Sequence, residues 1–348
     1  MTAELGARPA TGAASSGTGP DTEPDTGPGP EGGPEPGPGP GTESGPGVGR
    51  DSGRDGADGL LRQAAPVMGT VFSFAVGIPH EVSAPRGRVT VRFDPRQAIA
   101  DGVDLLHRLD AAWSPFRDDS FVARIRGREE LDPGAEDPDG TLGLDVVLRR
   151  CRAAQRLTRG SFDAWALPDG FDPSGVVKGW AVERVVALLA ARGLTDVAVS
   201  GGGDVALRGR PPGRDGWRVG VRHPGRDDAL LGAVVVRGGG AVATSGYYER
   251  GGHIVDPRRI PLTVPEGDLV SVTVAGPELG WCDVIAKALL VEGTAAPEWM
   301  AAIPTYRALA VHADSALEGA LLDELEPAEV TQPESVAGGV GPQGPPGA

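Results

Sequence analysis

Short stretches in which apolar and polar residues alternate occur in two parts of the chain. The first part holds VFSFAV, which follows Met68-Gly69-Thr70, and VTVRF at residues 89–93. The second part begins after residue 195 and contains a series separated by Gly-rich turns: VAVS, VALRG, WRVGVRHP, LGAVVVRG, AVATS, LVSVTVAG and YRALAVHAD. Alternation with a period of two is typical of half-buried strands, so we expect many short β-strands.

Apolar residues with helical spacing lie mainly between these two parts. Asp94-Pro95 is a helix-start signal and is followed by an apolar face that predicts a first helix. A second helix is predicted from about Leu144 to Leu157, and a third from Lys178 to Gly193, where the glycine is a C-cap. WCDVIAKALLVEG, at residues 281–293, predicts a further helix.

Strands and helices form separate clusters along the chain instead of alternating strictly. This order favours an α+β fold of mostly antiparallel sheets flanked by helices, in one domain over residues 63–325, over a doubly wound sheet. Residues 1–60 and 326–348 consist largely of Gly, Pro and polar residues, and the N-terminal stretch is acidic. Such segments cannot bury enough apolar surface to offset chain entropy, so we predict two disordered tails.

Charge and cysteine content exclude several functional classes. The formal net charge is −15 and no basic stripe is present, which argues against a nucleic-acid partner. Cys151 and Cys282 are too few for a disulfide framework or a cysteine-only zinc site. No apolar run reaches the ~18 residues that span a bilayer, and the N-terminus lacks a signal-peptide pattern or a lipid-attachment cysteine. We therefore expect a cytoplasmic protein without membrane insertion.

The chain has 33 basic residues, yet only Lys178 and Lys287 are lysines. Lys178 lies at the predicted start of the third helix, where free N–H groups attract anions and a lysine adds a mobile cation for phosphate. The spacing is not that of a Walker loop, because glycine follows the lysine. A surface lysine at a helix start is the simpler explanation, but the isolation of Lys178 among so many arginines favours a functional role.

Two further segments, one rich in glycine and one rich in polar residues, are candidates for ligand binding or catalysis. SGGGD, residues 200–204, joins two strands through three glycines, so its backbone can approach a ligand and Asp204 can accept hydrogen bonds. Taken alone, the segment is better explained as a tight hairpin that needs positive φ. ATSGYYERGGHIVDPR, residues 243–258, concentrates polar groups around His253, a candidate general base near neutral pH. A Ser245–His253 pair is also possible, but no nucleophile-elbow motif supports it.

On the last predicted helix, Asp283 and Lys287 are four residues apart and therefore share a face. A simple ion pair explains this spacing. The rest of the helix is apolar, however, and a buried carboxylate there is costly unless it meets a cation or a metal.

Taken together, these segments resemble the ApbE-type FAD:protein FMN transferases, the flavin transferase family. The matching motifs occur in the family's order and cover nearly the whole predicted domain: MGT at Met68, the serine-flanked loop 114–120, SFD at Ser161, DPSGVVKGWAVE at Asp172, SGGGD at Ser200, WRVGVRHP at Trp217, ATSGYYER with HIVDP, and CDVIAK at Cys282. The resemblance implies FAD as substrate, Mg²⁺ as cofactor, and an acceptor protein that receives FMN on a Thr or Ser hydroxyl.

The resemblance also implies roles for single residues. Those expected to contact the flavin or adenosine are Met68, Phe116, Ser161, Phe162 and Asp163. Asp172 and Lys178 would hold ribose or pyrophosphate. His253, with Ile254 beside it, would lie at the reacting phosphate and activate the acceptor hydroxyl.

The implied magnesium ligands are the Gly175 carbonyl and the Asp283 carboxylate, since hard oxygen donors suit Mg²⁺. Lys287 occupies the position at which the family usually has a threonine as a third metal contact. An ammonium cannot bind Mg²⁺ and would compete with it for Asp283. Trp180 stands where the family usually has tyrosine, and PRRIP replaces P-x-T-G-x-P after HIVDP.

Three functions are compatible with this pattern. The leading hypothesis is FMN transfer from FAD to a protein, with release of AMP. The alternatives are a non-catalytic FAD-binding protein, which Lys287 favours, and an FAD pyrophosphatase, in which water replaces the acceptor hydroxyl.

Overall fold

The computed structural model describes residues 58–78, 94–226, 229–247, 255–259, 262 and 267–327, all within the unit Asp51–Ala348. Most of both predicted tails and the strand predicted at 89–93 lie outside the described residues. The described strands are β1 Leu60–Val67, β2 Thr70–Gly77, β3 Val197–Gly201, β4 Asp204–Gly209, β5 Trp217–Arg222, β6 Leu230–Val236, β7 Gly238–Gly246, β8 Leu269–Gly276, β9 Arg307–His312, β10 Leu317–Glu318 and β11 Leu325–Glu326.

The described helices occupy the regions with helical apolar spacing. They are α1 Pro95–Trp113, α2 Phe121–Arg126, α3 Pro133–Glu136, α4 Leu144–Leu157, α5 Ser174–Ala191 and α6 Leu279–Glu292, with 3₁₀ turns at Glu298–Ala302 and Leu322–Glu324. Asp94 caps α1 through its side chain, as the Asp-Pro signal predicts. None of the helices in the described part of the chain combines the length and apolarity needed to cross a bilayer.

Eight strands form one sheet in the order β1-β2-β3-β4-β7-β8-β9-β10. Every neighbouring pair in it is antiparallel. A second antiparallel sheet has the order β11-β6-β5. The predicted α+β class with antiparallel pairing is confirmed.

The main core lies between the large sheet and helices α5 and α6. Helix α5 packs on β3 and β4, and α6 packs on β7 and β8. Side chains such as Val272 on β8 and Ile285 and Leu289 on α6 are fully buried. Each buried side chain of this size stabilises the fold by about 1.5–3 kcal/mol relative to an exposed one.

The structure corrects the predicted start of the third helix. Helix α5 begins at Ser174, one turn before Lys178, so Lys178 is not at the helix terminus. Asp172 makes the turn into the helix, because its Oδ1 accepts hydrogen bonds from the Ser174 N–H at 2.9 Å and the Ser174 hydroxyl at 2.5 Å. A second difference is at the C-terminal end, where the short strands β10 and β11 follow the predicted last strand.

Helices α5 and α6 cross with their backbones in direct contact. A Cβ atom at Gly179 would lie 2.7 Å from both the Cα and the N of Gly280. The next turn of α5 reinforces this crossing, because Glu183 Oε1 accepts a hydrogen bond of 2.8 Å from the Gly280 N–H at the start of α6. Arg150 in turn contacts Glu183 at 3.2 Å and Glu278 at 2.6 Å. The crossing is therefore fixed by sterics and by partly buried polar contacts.

We predict that Gly179→Ala lowers the free energy of unfolding by about 1–3 kcal/mol or more, because two backbones must separate to admit the methyl group. The control is Gly102→Ala on α1, where the added Cβ would meet a Val185 methyl at 3.1 Å instead of backbone. Its loss should be smaller, since alanine favours helix over glycine by roughly 1 kcal/mol. Equal denaturant midpoints for the two variants would contradict the proposed backbone contact.

Candidate functional site

Two hairpin turns lie side by side at one end of the large sheet. The β1–β2 turn is Met68-Gly69 and the β3–β4 turn is Gly202-Gly203, with positive φ at all four residues. Pairing of Phe72 with Gly201 brings the turns together. The simple hairpin explanation of the three-glycine segment is therefore confirmed, because a two-residue turn of this kind needs positive φ at both positions.

Helices α5 and α6 place both lysines at this end of the sheet. The Lys178 side chain from α5 approaches the turn, since a Cβ at Gly202 would be 3.8 Å from Lys178 Cδ. Its Nζ lies 2.5 Å from Asp204 Oδ2 and 3.7 Å from Asp283 Oδ2. Lys287 Nζ, one turn along α6, pairs with Asp283 Oδ1. The predicted Asp283–Lys287 contact is confirmed, and the four residues form a single cluster.

The two kinds of charge are buried to different depths. The side chains of Asp204 and Asp283 are only 2% and 1% exposed. The side chains of Lys178 and Lys287 are 29% and 24% exposed. Asp204 Oδ1 also accepts a hydrogen bond of 3.0 Å from the Thr244 N–H on β7. Acids therefore form the floor of the cluster and lysines its rim, which is the order that suits an approaching anion.

Burial and charge perturb the two carboxyl groups in opposite directions. Burial, with the neighbouring charge of Asp283, raises the pKa of Asp204 from 3.8 to about 6 against the opposing effect of Lys178. Burial acts in the same direction on Asp283, but Lys178 and Lys287 together outweigh it and lower its pKa below the usual value. Asp283 is thus the firmly ionised partner of both ammonium groups.

Two more predicted residues adjoin the cluster. A Cβ at Gly175, in the first turn of α5, would lie 2.8 Å from a ring carbon of Phe162 and 3.6 Å from Lys287 Cδ. Phe162 is itself buried. The structure therefore brings together Phe162, Gly175, Lys178, Asp283 and Lys287, and adds Asp204.

Comparison with known proteins finds a family that one segment of the chain resembles. Residues 169–310, which contain both lysines and both acids of the cluster, match the sequence profile of the ApbE family. This segment, less than half of the chain, is similar to the ApbE family. The flavin transferase ApbE from Vibrio cholerae superimposes with a TM-score of 0.60 at 21% identity, covering 75% of this chain and 96% of that one. The ApbE protein of Thermotoga maritima has a TM-score of 0.58 at 20% identity, covering 74% and 96%. These likenesses establish a shared fold.

Curated ApbE relatives match over a shorter stretch. The FAD:protein FMN transferase of Vibrio cholerae is 34% identical over 133 residues, which cover 35% of this chain and 38% of the relative. The FAD:protein FMN transferase of Rhodobacter capsulatus is 37% identical over 130 residues, covering 35% and 24%. The chain thus spans less than two fifths of the length of these relatives.

The other predicted ApbE site residues do not join the cluster through their side chains. The Ser161 hydroxyl lies within hydrogen-bond distance of the Thr158 carbonyl, at 2.9 Å, and of the Glu292 carboxylate, and donates its one hydrogen between them. Asp163 accepts from Gln155 at 2.7 Å and from the Trp165 N–H at 2.8 Å. The Asp172 carboxylate accepts hydrogen bonds from Ser174 in the turn into α5. Their flavin, ribose or pyrophosphate contacts stay predictions.

Four further residues complete this comparison. Met68 lies in the β1–β2 turn, and Phe116 lies in the α1–α2 loop with 93% of its surface exposed. The catalytic role of His253 and the cofactor contact of Ile254 stay predictions, because both residues lie outside the described part of the chain. Asp204 is missing from the predicted set, although the SGGGD segment that contains it drew attention to this position.

The described residues do not fit the Mg²⁺ that the ApbE family implies. Both oxygens of Asp283 face lysine ammonium groups, and Asp204 is paired with Lys178. Mg²⁺ requires oxygen ligands in a near-octahedral arrangement. Within the described ranges, no group of three or more His, Cys, Asp or Glu residues is arranged to hold a metal ion.

The raised pKa of Asp204 predicts a pH-dependent stability. Between pH 4 and 6 the folded chain holds a proton that the unfolded chain releases, so stability from this group falls as the pH rises. Relative to Asp204→Asn, the wild type should lose on the order of 2 kcal/mol of unfolding free energy between pH 4 and pH 7. Denaturant unfolding at each pH measures this difference. Parallel curves for the two proteins would show that Asp204 does not titrate in this range.

Proposed function

We propose that this protein transfers the FMN part of FAD to a Thr or Ser hydroxyl of an acceptor protein and releases AMP. The observation that carries the proposal is the pair of lysine ammonium groups held over buried carboxylates within the segment that matches the ApbE family. The pyrophosphate of FAD is the anion that such a rim would bind. The curated relatives are named FAD:protein FMN transferases, which supports the same reaction.

The reaction exchanges one P–O bond for another and moves one proton. The acceptor hydroxyl oxygen attacks the phosphorus on the riboflavin side of the pyrophosphate, and a P–O bond to the acceptor forms. The bond from that phosphorus to the bridging oxygen breaks, and AMP leaves with the electron pair. The hydroxyl proton passes to a base, for which the sequence offers His253.

The chain's own residues would serve this step mainly by charge and position. Lys178 and Lys287 would bind the pyrophosphate oxygens and stabilise the charge that develops on the leaving AMP. Because the carboxylates beneath them are buried and fixed, the ammonium groups are already placed before FAD binds. Phe162, packed on Gly175, would border the same cluster.

A second candidate function is FAD binding without transfer. The observation that favours it is the Lys287–Asp283 ion pair, which occupies the carboxylate that a metal would need. Both functions require FAD to bind at the same cluster. They differ in whether AMP is released.

Incubation with FAD and candidate acceptor proteins tests the proposal. We expect AMP release together with flavin fluorescence that remains on the acceptor in a denaturing gel. Lys178→Met should reduce transfer by about 10²-fold or more, because it removes charge stabilisation at the leaving phosphate. The control is Arg149→Met, which removes a cation from the exposed Arg149–Asp145 pair on α4 and should leave the rate unchanged.

Each alternative function has its own result. FMN and AMP released without labelled acceptor indicate a pyrophosphatase. Bound FAD that stays intact with every acceptor indicates a binding protein. Either result would contradict the proposed transfer.

His253→Ala should reduce transfer by ~10²–10⁴-fold while leaving FAD affinity nearly unchanged, because a general base acts on the rate. Single-turnover rates and calorimetric FAD titrations measure the two effects separately. The control is His107→Ala, which removes an exposed histidine from α1. A wild-type rate for His253→Ala would remove this histidine from the mechanism.

A further inference from the structure

Both oxygens of the buried Asp283 carboxylate lie next to lysine ammonium groups, and Oδ2 accepts no hydrogen bond within the described part of the chain. Its side chain is 1% exposed, Oδ1 pairs with Lys287, and Oδ2 lies 3.7 Å from Lys178 Nζ. A cation that bound this carboxylate would have to displace an ammonium group that is already there. Because the carboxylate is buried, its nearest charged partners among the described residues are these two ammonium groups.

Lys287 is held in this position by its surroundings. Its Cδ lies 3.6 Å from the point where a Cβ on Gly175 would be, and the Phe162 ring adjoins the same glycine. The contact between Gly179 and Gly280 sets the spacing of α5 and α6. The stem of Lys287 therefore runs between two packed elements, and its ammonium is directed to the cluster.

The charges of the cluster are already balanced. Two carboxylates face two ammonium groups among the described residues, and Asp204 is held by Lys178 at 2.5 Å and by the Thr244 N–H at 3.0 Å. A divalent cation placed beside Asp283 would lie close to both lysines. Such like charges repel strongly where the surroundings are largely protein.

We propose that the Lys287 ammonium takes the place of the divalent metal ion in this site, so that the protein binds the FAD pyrophosphate and transfers FMN without Mg²⁺. An ammonium has three donors, so Lys287 can stay paired with Asp283 and donate to a phosphate oxygen as well. Lys178 does the same from the other side through its pair with Asp204. The part of this proposal that concerns transfer rests on the proposed function, and the part that concerns metal binding does not.

Binding of Mn²⁺, followed by its electron paramagnetic resonance signal, tests metal exclusion directly. With FAD present, the wild type should take up no more Mn²⁺ than free FAD does at the same concentration. Lys287→Thr frees Asp283 and supplies a hydroxyl, so it should bind one Mn²⁺ per chain. Lys287→Arg keeps the positive charge and should still exclude Mn²⁺. Stoichiometric Mn²⁺ binding by the wild type would overturn the proposal.

Transfer rates give the second readout. The wild-type rate should differ by less than about twofold between excess chelator and excess Mg²⁺, because the ammonium supplies the charge that a metal ion supplies elsewhere. In Lys287→Thr, transfer should require the metal. Full loss of wild-type transfer in chelator would overturn the proposal. If no condition gives transfer, the proposed function fails, and the Mn²⁺ measurement still decides whether Lys287 excludes the metal.

Discussion

The backbone contact between Gly179 on α5 and Gly280 on α6 sets the geometry on which the site depends. Lys178 is adjacent to the first glycine in the chain, and Asp283 is three residues after the second. Larger residues at the crossing would push the helices apart, as a Cβ at Gly179 would lie 2.7 Å from backbone atoms. Lys178 could not then reach both Asp204 and Asp283. The absence of side chains at these two glycines thus sets the distances between the lysine and aspartate charges.

The cluster explains why a chain rich in arginine retains two lysines. An ammonium is a compact charge on a flexible stem, and its three donors can divide between a buried carboxylate and an incoming anion. A guanidinium is planar and binds carboxylates in a fixed fork, so it divides its donors less freely between a carboxylate and an incoming anion. Among the described residues many arginines form pairs exposed on both sides, such as Arg149–Asp145, although Arg258 and Arg259 pair with the buried Asp256. Both lysines instead pair with acids that are at most 2% exposed.

Local patterns in the sequence predicted much of the fold. The bounds of α4, the cap of α1, the run of strands after residue 195 and the Asp283–Lys287 pair all depend on residues close in the chain. The start of α5 was misplaced because Asp172-Pro173-Ser174 already makes the turn into the helix. Antiparallel pairing followed from the clustering of strands, but their order in the sheet did not.

The contacts that could not be predicted join distant residues. Lys178 on α5 contacts Asp204 at the start of β4 because α5 packs on that strand. The position of β4 in turn depends on the order of strands in the sheet. Ser161 contacts Glu292, 131 residues away, so its side chain is engaged within the fold. Motif order indicated the family without these contacts, since the family resemblance depends on residue types. The assignment of lysines in place of a metal depends on the contacts themselves.

A crystal structure of the FAD complex grown in Mn²⁺, with anomalous data collected at the manganese edge, tests the central claim most directly. Lys287 Nζ should contact a pyrophosphate oxygen while it remains paired with Asp283. No anomalous peak should appear at that carboxylate. A manganese peak on Asp283, with the Lys287 side chain turned away from the cluster, would contradict it.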